Sequence, residues 1–496
     1  MKSELKKFLA AILALIGIVL FIPQNINAQS FGFDDYESAG NEGGVSGSPV
    51  KIGGEANAEL KFFYDDFDAA ETMRLGNVFS GKLNFSASCS IAEALVNLNI
   101  VPVFNDPTSI FSIDEAYLRA FLGPINITAG LRKLTWGKAD SFGPLDVINP
   151  LDYSDLSGMS NPQNIKMARP LLHLAWNMGH FSKLEAVFVP WFEGHKFAGS
   201  GRWTPGQIKT LPVSIKAGLE AGISATPLAP YLPGVISPAL NSWINTLDIN
   251  DFLSGTYYSI KYAQAGMRFT TSFGPADFGI QYYFGRLPRP TYNINTDVFQ
   301  QSLLALTVIT LPTPDDVNPK LIKINVNYNP YHQIGIDYAQ VIGGFNIRAE
   351  FGANITNDLK GTDGSVYNPS LVWSLGFDRN LFWGININLQ GTESIRLLHK
   401  KIGANPMNDT EAGSDMTSTR ITLVLSKTFL RDELEIKFTG LWGIEDRDFL
   451  VMPGINWSRN SLSAGLSAGF FLGDKSGELG QYRDNNYLKM TLGYKF

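Results

Sequence analysis

Most of this 496-residue chain consists of segments in which apolar and polar residues alternate one by one. In residues 51–63, Ile52 and Leu60 share one parity, and Glu55 falls on the other. Successive side chains of a β-strand point to opposite faces, so such a segment predicts a strand with one apolar and one polar face. The alternation recurs in 344–356, 381–391 and 432–440.

The connections between these segments fall into two classes. Tight polar or glycine turns join several pairs, at Gly123-Pro124, Gly179-His180, Gly274-Pro275, Gly343-Gly344, Arg379-Asn380, Arg431-Asp432 and Arg459-Asn460. Longer polar stretches lie near 64–76, 135–164, 193–255, 288–320, 357–367, 392–417 and 473–485. Short turns that alternate with long loops are typical of transmembrane barrels, with the turns in the periplasm and the loops outside the cell.

Tracing the chain up and down predicts an all-β fold, a transmembrane antiparallel up-and-down β-barrel of about 18 strands (16–18). The predicted strands lie near 51–63, 77–89, 92–104, 113–122, 125–134, 165–178, 181–192, 256–273, 276–287, 323–341, 344–356, 368–378, 381–391, 418–429, 433–446, 450–458, 460–472 and 486–496. An even count puts every tight turn on one side. Segment 213–223 also alternates and could change the count by two, but we assign it to an extracellular excursion.

The N-terminus predicts export. Lys2, Lys6 and Lys7 precede an apolar run over 8–22, which is typical of a secretory signal peptide, here cleaved after Ala28. The alternative is a retained membrane anchor, but the run is shorter than the roughly 20 residues of a spanning helix. The predicted organisation is a signal peptide over 1–28, a short periplasmic segment over 29–50, and an outer-membrane barrel over 51–496.

The C-terminal strand supports the same location. Alternating residues run to the end of the chain at Leu488, Met490, Leu492, Tyr494 and Phe496. A last strand that ends in an aromatic residue resembles the closing strand that the bacterial barrel-assembly machinery recognises. We therefore expect Tyr494 and Phe496 to act as the terminal assembly signal.

Composition separates a membrane barrel from a secreted β-protein. Only 17% of residues are charged, against roughly 25% in an average soluble domain. In water, the apolar faces of so many strands would form large exposed patches, so outer-membrane lipid is the expected partner. Lys plus Arg number 40 and Asp plus Glu 46, which does not favour a nucleic-acid partner.

The polar parity of the strands assigns charged side chains of both signs to the lumen. We therefore expect no strong selectivity from the wall alone. The assigned residues are Glu55, Glu59, Lys61, Lys82, Glu93, Glu115, Arg119, Arg132, Lys183, Glu185, Arg268, Arg348, Glu350, Glu435 and Lys437.

Residues 135–164 are long for a surface loop and combine aspartates with aromatic residues. Long loops without regular structure are commonly functional. One hypothesis is that this loop enters the lumen, where Asp140, Asp146, Asp152 and Asp155 form an acidic constriction facing Arg119, Arg132 and Lys183. The alternative is an ordered extracellular loop whose Asp and Asn side chains cap turns. Candidate pore-lining residues are Arg119, Arg132, Trp136, Lys138, Asp140, Asp146, Asp152, Lys183, Glu185, Arg348 and Glu350.

The same region carries a resemblance. Gly130-Leu131-Arg132-Lys133-Leu134-Thr135-Trp136-Gly137-Lys138-Ala139-Asp140, followed by 146–152 (Asp-Val-Ile-Asn-Pro-Leu-Asp), resembles a bacterial outer-membrane barrel family known only as a domain of unknown function. That family is distantly similar to alginate-export-type porins. The resemblance implies a barrel with a channel or export role. This chain has Lys133 where the family usually has Gln.

Two loop features have less specific interpretations. Residues 236–252 place Ile236, Leu240 and Trp243 at helical spacing, which predicts a short helix lying over the pore or packed within its loop. Asp409, Glu411 and Asp415 match no known cation-binding loop, so we expect them to be solvated surface charges.

The predicted function is passive passage or export of small polar or amphipathic solutes through a porin-like channel. One alternative is a surface adhesin or structural barrel, and another is an outer-membrane hydrolase. The five histidines are scattered and form no paired His motif, so we expect no enzyme, cofactor or metal. A homo-oligomer of barrels is left open.

Overall fold

The computed structural model describes residues 50–63, 79–100, 111–248, 255–309, 313–404 and 409–496. The predicted signal peptide and all of the segment 29–50 except Val50 lie outside these residues. Among the helices that are described, none is both long enough and apolar enough to cross a bilayer.

Eighteen strands form one closed antiparallel sheet, as predicted. They are β1 (Val50–Phe63), β2 (Phe79–Ser88), β3 (Ala92–Ile100), β4 (Phe111–Leu122), β5 (Ile125–Arg132), β6 (Arg169–Met178), β7 (Ser182–Val189), β8 (Gln264–Phe273), β9 (Ala276–Arg286), β10 (Pro330–Ile342), β11 (Phe345–Thr356), β12 (Ser370–Asn380), β13 (Asn386–Arg396), β14 (Thr417–Phe429), β15 (Leu434–Gly443), β16 (Asp448–Arg459), β17 (Leu462–Gly473) and β18 (Tyr487–Lys495). Each strand pairs with the next, and β18 pairs with β1, so the sheet has no free edge.

The two ends of the barrel differ as the sequence predicts. Eight short connections, from β2–β3 to β16–β17, lie at one end, here called the turn end, and one further short connection, 444–447, lies at the other end. The opposite loop end carries the long connections, which include 133–168, 190–263 and 287–329. This asymmetry confirms the up-and-down trace.

Three predicted strands have wrong boundaries. The wall strand predicted at 256–273 begins at Gln264, and the one predicted at 323–341 begins at Pro330, because their first residues form small sheets within the loops. The strand predicted at 381–391 lies at 386–396. Its first residues form a turn instead, in which Trp383 adopts a left-handed φ of 63°.

The long loops build a small helical layer at the loop end. It contains α1 (Gly206–Ser224), α2 (Ser237–Ile244) and α3 (Asp297–Ile309) around one apolar core. Segment 213–223, which we read as alternating, is helical, because Ile215, Leu219 and Ile223 recur every fourth residue and share one buried helix face. The helix predicted within 236–252 is α2, and it packs into this core.

The outer face of the barrel is apolar. In β6, the exposed Leu172, Leu174 and Trp176 alternate with buried residues that face inward. About half of the surface of Met267, Ile280 and Ile336 on neighbouring strands is exposed, at 53%, 51% and 53%. Such a continuous apolar surface suits lipid and is unfavourable in water.

The barrel closes through the last residue of the chain. The backbone N–H of Gly54 donates to the Phe496 carbonyl at 2.9 Å, and the Phe496 N–H donates back to the Gly54 carbonyl at 3.0 Å. The Phe496 ring covers Gly54 so closely that a Cβ there would lie 2.7 Å from the ring and 2.6 Å from the Lys82 carbonyl. Closure therefore requires a residue without a side chain at position 54.

We predict that Gly54→Val impairs barrel closure. The added side chain displaces the Phe496 ring and strains the β1–β2 backbone, at a cost of about 1–3 kcal/mol. The measurement is the fraction of refolded protein that migrates as the compact, heat-modifiable species on a gel. Gly391→Val in β13 is the matched control, since a Cβ at Gly391 meets no atom within 4 Å. Equal folded fractions for the two variants would contradict this role of Gly54.

Candidate functional site

Residues 133–168, here called the internal loop, are held by side chains that face into the barrel. Glu350 of β11 is the main anchor. Its carboxylate accepts hydrogen bonds from three backbone N–H groups of the loop, those of Lys138, of Ala139 at 2.7 Å and of Leu145 at 3.2 Å. Hydrogen bonds to a charged acceptor are among the strongest in proteins, so Glu350 fixes the course of this segment.

Three glutamines extend this anchor along the wall. Gln390 accepts from the backbone N–H groups of Asp140 at 3.0 Å and Ser141 at 3.2 Å. Gln281 and Gln333 donate to the carbonyls of Leu145 and Pro144, at 2.8 and 3.0 Å. These wall side chains thereby satisfy loop backbone groups that have no strand partner.

Glycines in the wall make room for the apolar side chains of the loop. Leu145 has no exposed surface and packs against Gly335 and Gly352, where a Cβ would lie 2.4 and 2.9 Å from its side chain. Trp136 is 1% exposed and lies against Gly266, where a Cβ would come within 2.9 Å of the indole. The wall at β8–β11 is thus shaped to this loop.

The other half of the internal loop contacts the opposite wall. Lys61 of β1 forms an ion pair with Asp155 at 2.8 Å and donates to the Ser157 hydroxyl at 2.7 Å. Leu156 and Met159 join an apolar cluster whose wall members are Leu441, Leu450, Met452, Phe471 and Tyr487. Because β11 and β1 lie nearly half a turn apart in an 18-stranded ring, the loop crosses the lumen.

The four loop aspartates form ion pairs with cations other than Arg119, Arg132 and Lys183. Asp140 pairs with Arg348 and accepts from the Asn388 amide at 2.8 Å. Asp146 pairs with Lys166, and Asp152 pairs with Lys196 at 2.9 Å. Each aspartate, Asp155 included, is therefore neutralised by a nearby cation.

Arg119, Arg132 and Lys183, which the acidic loop was expected to face, have partners within the wall. Strand register places Arg119 opposite Glu93, and the two charges lie 3.6 Å apart. Lys183 lies 3.4 Å from Glu185. The Arg132 guanidinium lies 3.5 Å from both the Thr128 hydroxyl and the His173 ring.

The structure therefore places eight of the eleven predicted pore-lining residues in two groups. Lys138, Asp140, Arg348 and Glu350 meet where the loop contacts β9–β13, while Arg119, Arg132, Lys183 and Glu185 form a network in β4–β7. The three glutamines escaped our candidate list because only charged residues of the wall were considered. Lys61 was assigned to the lumen wall but was not linked with the loop, because it lies far from the loop in sequence. The inward parity of the glutamines was the available signal.

A second segment crosses the loop end of the barrel. Residues 190–206 follow β7 in the chain. Within them, the Trp203 ring packs against residues near β17: its centroid lies 5.5 Å from that of Phe471 and 5.7 Å from that of Tyr482. The backbone N–H of Gly206 donates to the Gln481 side chain at 2.6 Å. Since β17 lies about half a turn from β7, this segment spans the mouth.

The acidic residues of the loop 397–416 have protein partners. Glu411 is 6% exposed and binds Arg396 at 2.9 Å, so it is a buried ion-pair member and not the solvated charge we expected. Asp409 accepts from two loop backbone N–H groups. In the described ranges, no three His, Cys, Asp or Glu side chains are grouped to hold a metal ion.

No family model and no curated protein matches this chain. Among solved structures, OpdK from Pseudomonas aeruginosa aligns with a TM-score of 0.45 and 7% identity, over 90% of this chain and 98% of its own. Salmonella typhi OmpF, solved with daunomycin, gives 0.39 and 7% over 90% and 97%. Wzi from Escherichia coli, described as a carbohydrate-binding β-barrel in capsule assembly, gives 0.42 and 9% over 90% and 84%.

We predict that Glu350→Gln loosens the internal loop. A carboxamide turns one NH₂ group toward backbone N–H donors, so at least one loop hydrogen bond is lost and the remaining ones lose their charge assistance. Hydrogen–deuterium exchange of peptides covering 136–146 should accelerate about tenfold or more.

Glu435→Gln is the matched control, because Glu435 faces the lumen from β15 and is contacted by the Asn456 amide at 3.5 Å. In the part of the chain that the structure describes, it makes no hydrogen bond or ion pair with the internal loop. Unchanged exchange in Glu350→Gln, or equal acceleration in both variants, would show that Glu350 does not fix the loop.

Proposed function

We propose that this chain is an outer-membrane channel through which small polar or amphipathic solutes pass, and that the internal loop narrows its lumen. The observation that carries the proposal is the fastening of one loop to both walls, by Glu350 on one side and Lys61 on the other. A loop held in this way limits the size of the passage while the barrel itself stays wide.

Barrel size supports a passage. Small barrels of about eight strands are filled by their own side chains, whereas porins of 16–18 strands enclose an aqueous channel. This barrel has 18 strands, so we expect a water-filled passage beside the internal loop. The wall carries charges of both signs, mostly in pairs, which suits polar solutes of modest charge.

The lengths of the connections predict how the barrel is oriented in the outer membrane. The short turns face the periplasm and the long loops face outward, as in bacterial outer-membrane barrels. The predicted signal peptide, the terminal Tyr494 and Phe496, and the resemblance of 130–152 to a porin-like family support this arrangement. The assembly machinery would then bind the β18 strand during insertion.

A surface-binding role is the second candidate, and the helical layer favours it. This layer has its own apolar core and exposes Val213 and Val298, at 65% and 51%, at the loop end. A binding protein of this kind needs no open lumen, so electrical conductance separates the two roles.

We predict that replacing 139–156 with a short Gly-Ser linker raises single-channel conductance several-fold. The replaced residues include both fastening points of the loop, so the lumen widens while the wall strands stay paired. The measurement is the current through single barrels in planar bilayers.

Deletion of 361–364 from the loop between β11 and β12 is the control, because it shortens a connection at the rim. It should leave conductance close to that of the parent. Equal conductance of the parent and the 139–156 variant would contradict a constricting loop. A folded parent barrel that carries no current under any condition would contradict the channel itself.

A further inference from the structure

Arg379 is a cation on the lipid-facing side of the wall. It lies at the turn end of β12 and shares its parity with the exposed Leu375, whereas Asp378 faces the lumen. Its guanidinium carbon lies 4.5 Å from the centroid of the Phe345 ring, which the Phe377 ring meets edge-on at 6.0 Å. In the described part of the chain, this guanidinium makes no hydrogen bond or ion pair. A guanidinium that rests on a ring keeps its in-plane N–H donors available at its edge.

Lys427 places a second cation on the same face of the wall, two strands away. It lies opposite the exposed Ile436 in the sheet, and its ammonium lies 4.8 Å from the centroid of the Phe429 ring. Among the residues that the structure describes, this ammonium has no hydrogen-bond or ion-pair partner. A cation beside lipid is unfavourable unless an anion accompanies it.

The two cations flank the turn 381–385. Strand register places Arg379 opposite Ile387, and Ile387 opposite Leu425, which is two residues from Lys427. Neighbouring strands are about 4.8 Å apart and a strand rises about 3.3 Å per residue, so the Cα atoms of Arg379 and Lys427 are roughly 12 Å apart. The two side chains therefore act on the same small area of the membrane surface.

The turn itself presents two aromatic side chains. Phe382 is 87% exposed and Trp383 is 85% exposed. The Leu381 N–H donates to the Ile385 carbonyl at 2.6 Å, which closes the turn, and Trp383 has the left-handed φ that is uncommon for a bulky residue. Exposed aromatic side chains at a strand end are typical of the level where lipid headgroups meet hydrocarbon.

The acids nearest to this turn do not cancel the charge of the two cations. Asp378 binds Arg348 at 2.7 Å on the lumen side, and Glu433 binds Arg459 at 3.5 Å. Asp432 accepts a hydrogen bond from a hydroxyl of its own hairpin at 2.6 Å. Apart from the pair that faces the lumen, cations outnumber acids in this region: Arg379, Lys427, Arg431 and Arg459 against Asp432 and Glu433.

We infer that Arg379, Lys427 and the turn 381–385 form a binding site for the headgroup of an anionic phospholipid. The Arg379 guanidinium binds the phosphate through two N–H groups, and Lys427 adds a second positive charge. The site continues directly into the apolar outer face at Leu375, which receives the acyl chains and favours a lipid over a free phosphate. With the predicted orientation, this lipid belongs to the periplasmic leaflet. The inference goes beyond the proposed channel and does not depend on the passage of solutes.

The test is native mass spectrometry of the full barrel, released from detergent micelles that contain phosphatidylglycerol or phosphatidylcholine with the same acyl chains. We expect the parent to retain phosphatidylglycerol in preference to phosphatidylcholine. Arg379→Gln should weaken the retention of phosphatidylglycerol about tenfold, because it removes a charge-assisted pair of hydrogen bonds. Lys427→Gln should weaken it about fivefold, since it removes one positive charge near the headgroup.

Arg459→Gln is the matched control, because it removes a positive charge from the same end of the barrel that already has Glu433 as a partner. It should retain phosphatidylglycerol as the parent does, and every variant is first checked for heat-modifiable folding. Equal retention by Arg379→Gln and the parent, or an equal loss in Arg459→Gln, would overturn the site. Equal retention of the two lipids by the parent, or displacement of phosphatidylglycerol by an equal concentration of inorganic phosphate, would overturn its assignment to an anionic lipid.

Conductance in planar bilayers separates this inference from the proposed channel. Retention of phosphatidylglycerol that depends on Arg379, in a barrel without current, would support the lipid site and contradict the channel. Current through a barrel that retains both lipids equally would support the channel and contradict the lipid site.

Discussion

In lipid, a chain must pair all of its backbone N–H and C=O groups with one another, and the rest of this structure depends on that requirement. A sheet meets this requirement only when its first and last strands join, as β1 and β18 do here. The join reaches the final residue, where Gly54 and Phe496 exchange two hydrogen bonds. Once the ring is closed, strand parity decides which side chains face lipid and which face the lumen.

The same requirement explains the interior. A loop that enters the lumen brings backbone groups without strand partners, and burying them unpaired is costly. Glu350 and the glutamines at 281, 333 and 390 supply the missing partners. Inward-facing polar residues therefore do more than make the lumen wettable, because they also fix the position of the internal loop.

The alternation of apolar and polar residues is a local signal. It was sufficient to predict the barrel fold, the number of strands and the inward-facing positions of Arg348 and Glu350. It failed at 213–223, where the same residues also fit a four-residue spacing. It also failed at 381–385, where alternating residues form a turn around Trp383. The pairing of Asp155 with Lys61 could not be predicted, because that contact depends on the path of the loop across the lumen.

Zero-length cross-linking with a carbodiimide in intact outer membranes tests the crossing of the lumen most directly. Asp155 of the internal loop lies 2.8 Å from Lys61 of β1, so mass spectrometry should find an amide between them. The wall pair Lys82 and Glu55, 3.5 Å apart on neighbouring strands, provides an internal reference. A sample that contains the Lys82–Glu55 link but no Lys61–Asp155 link would contradict a loop that crosses the barrel.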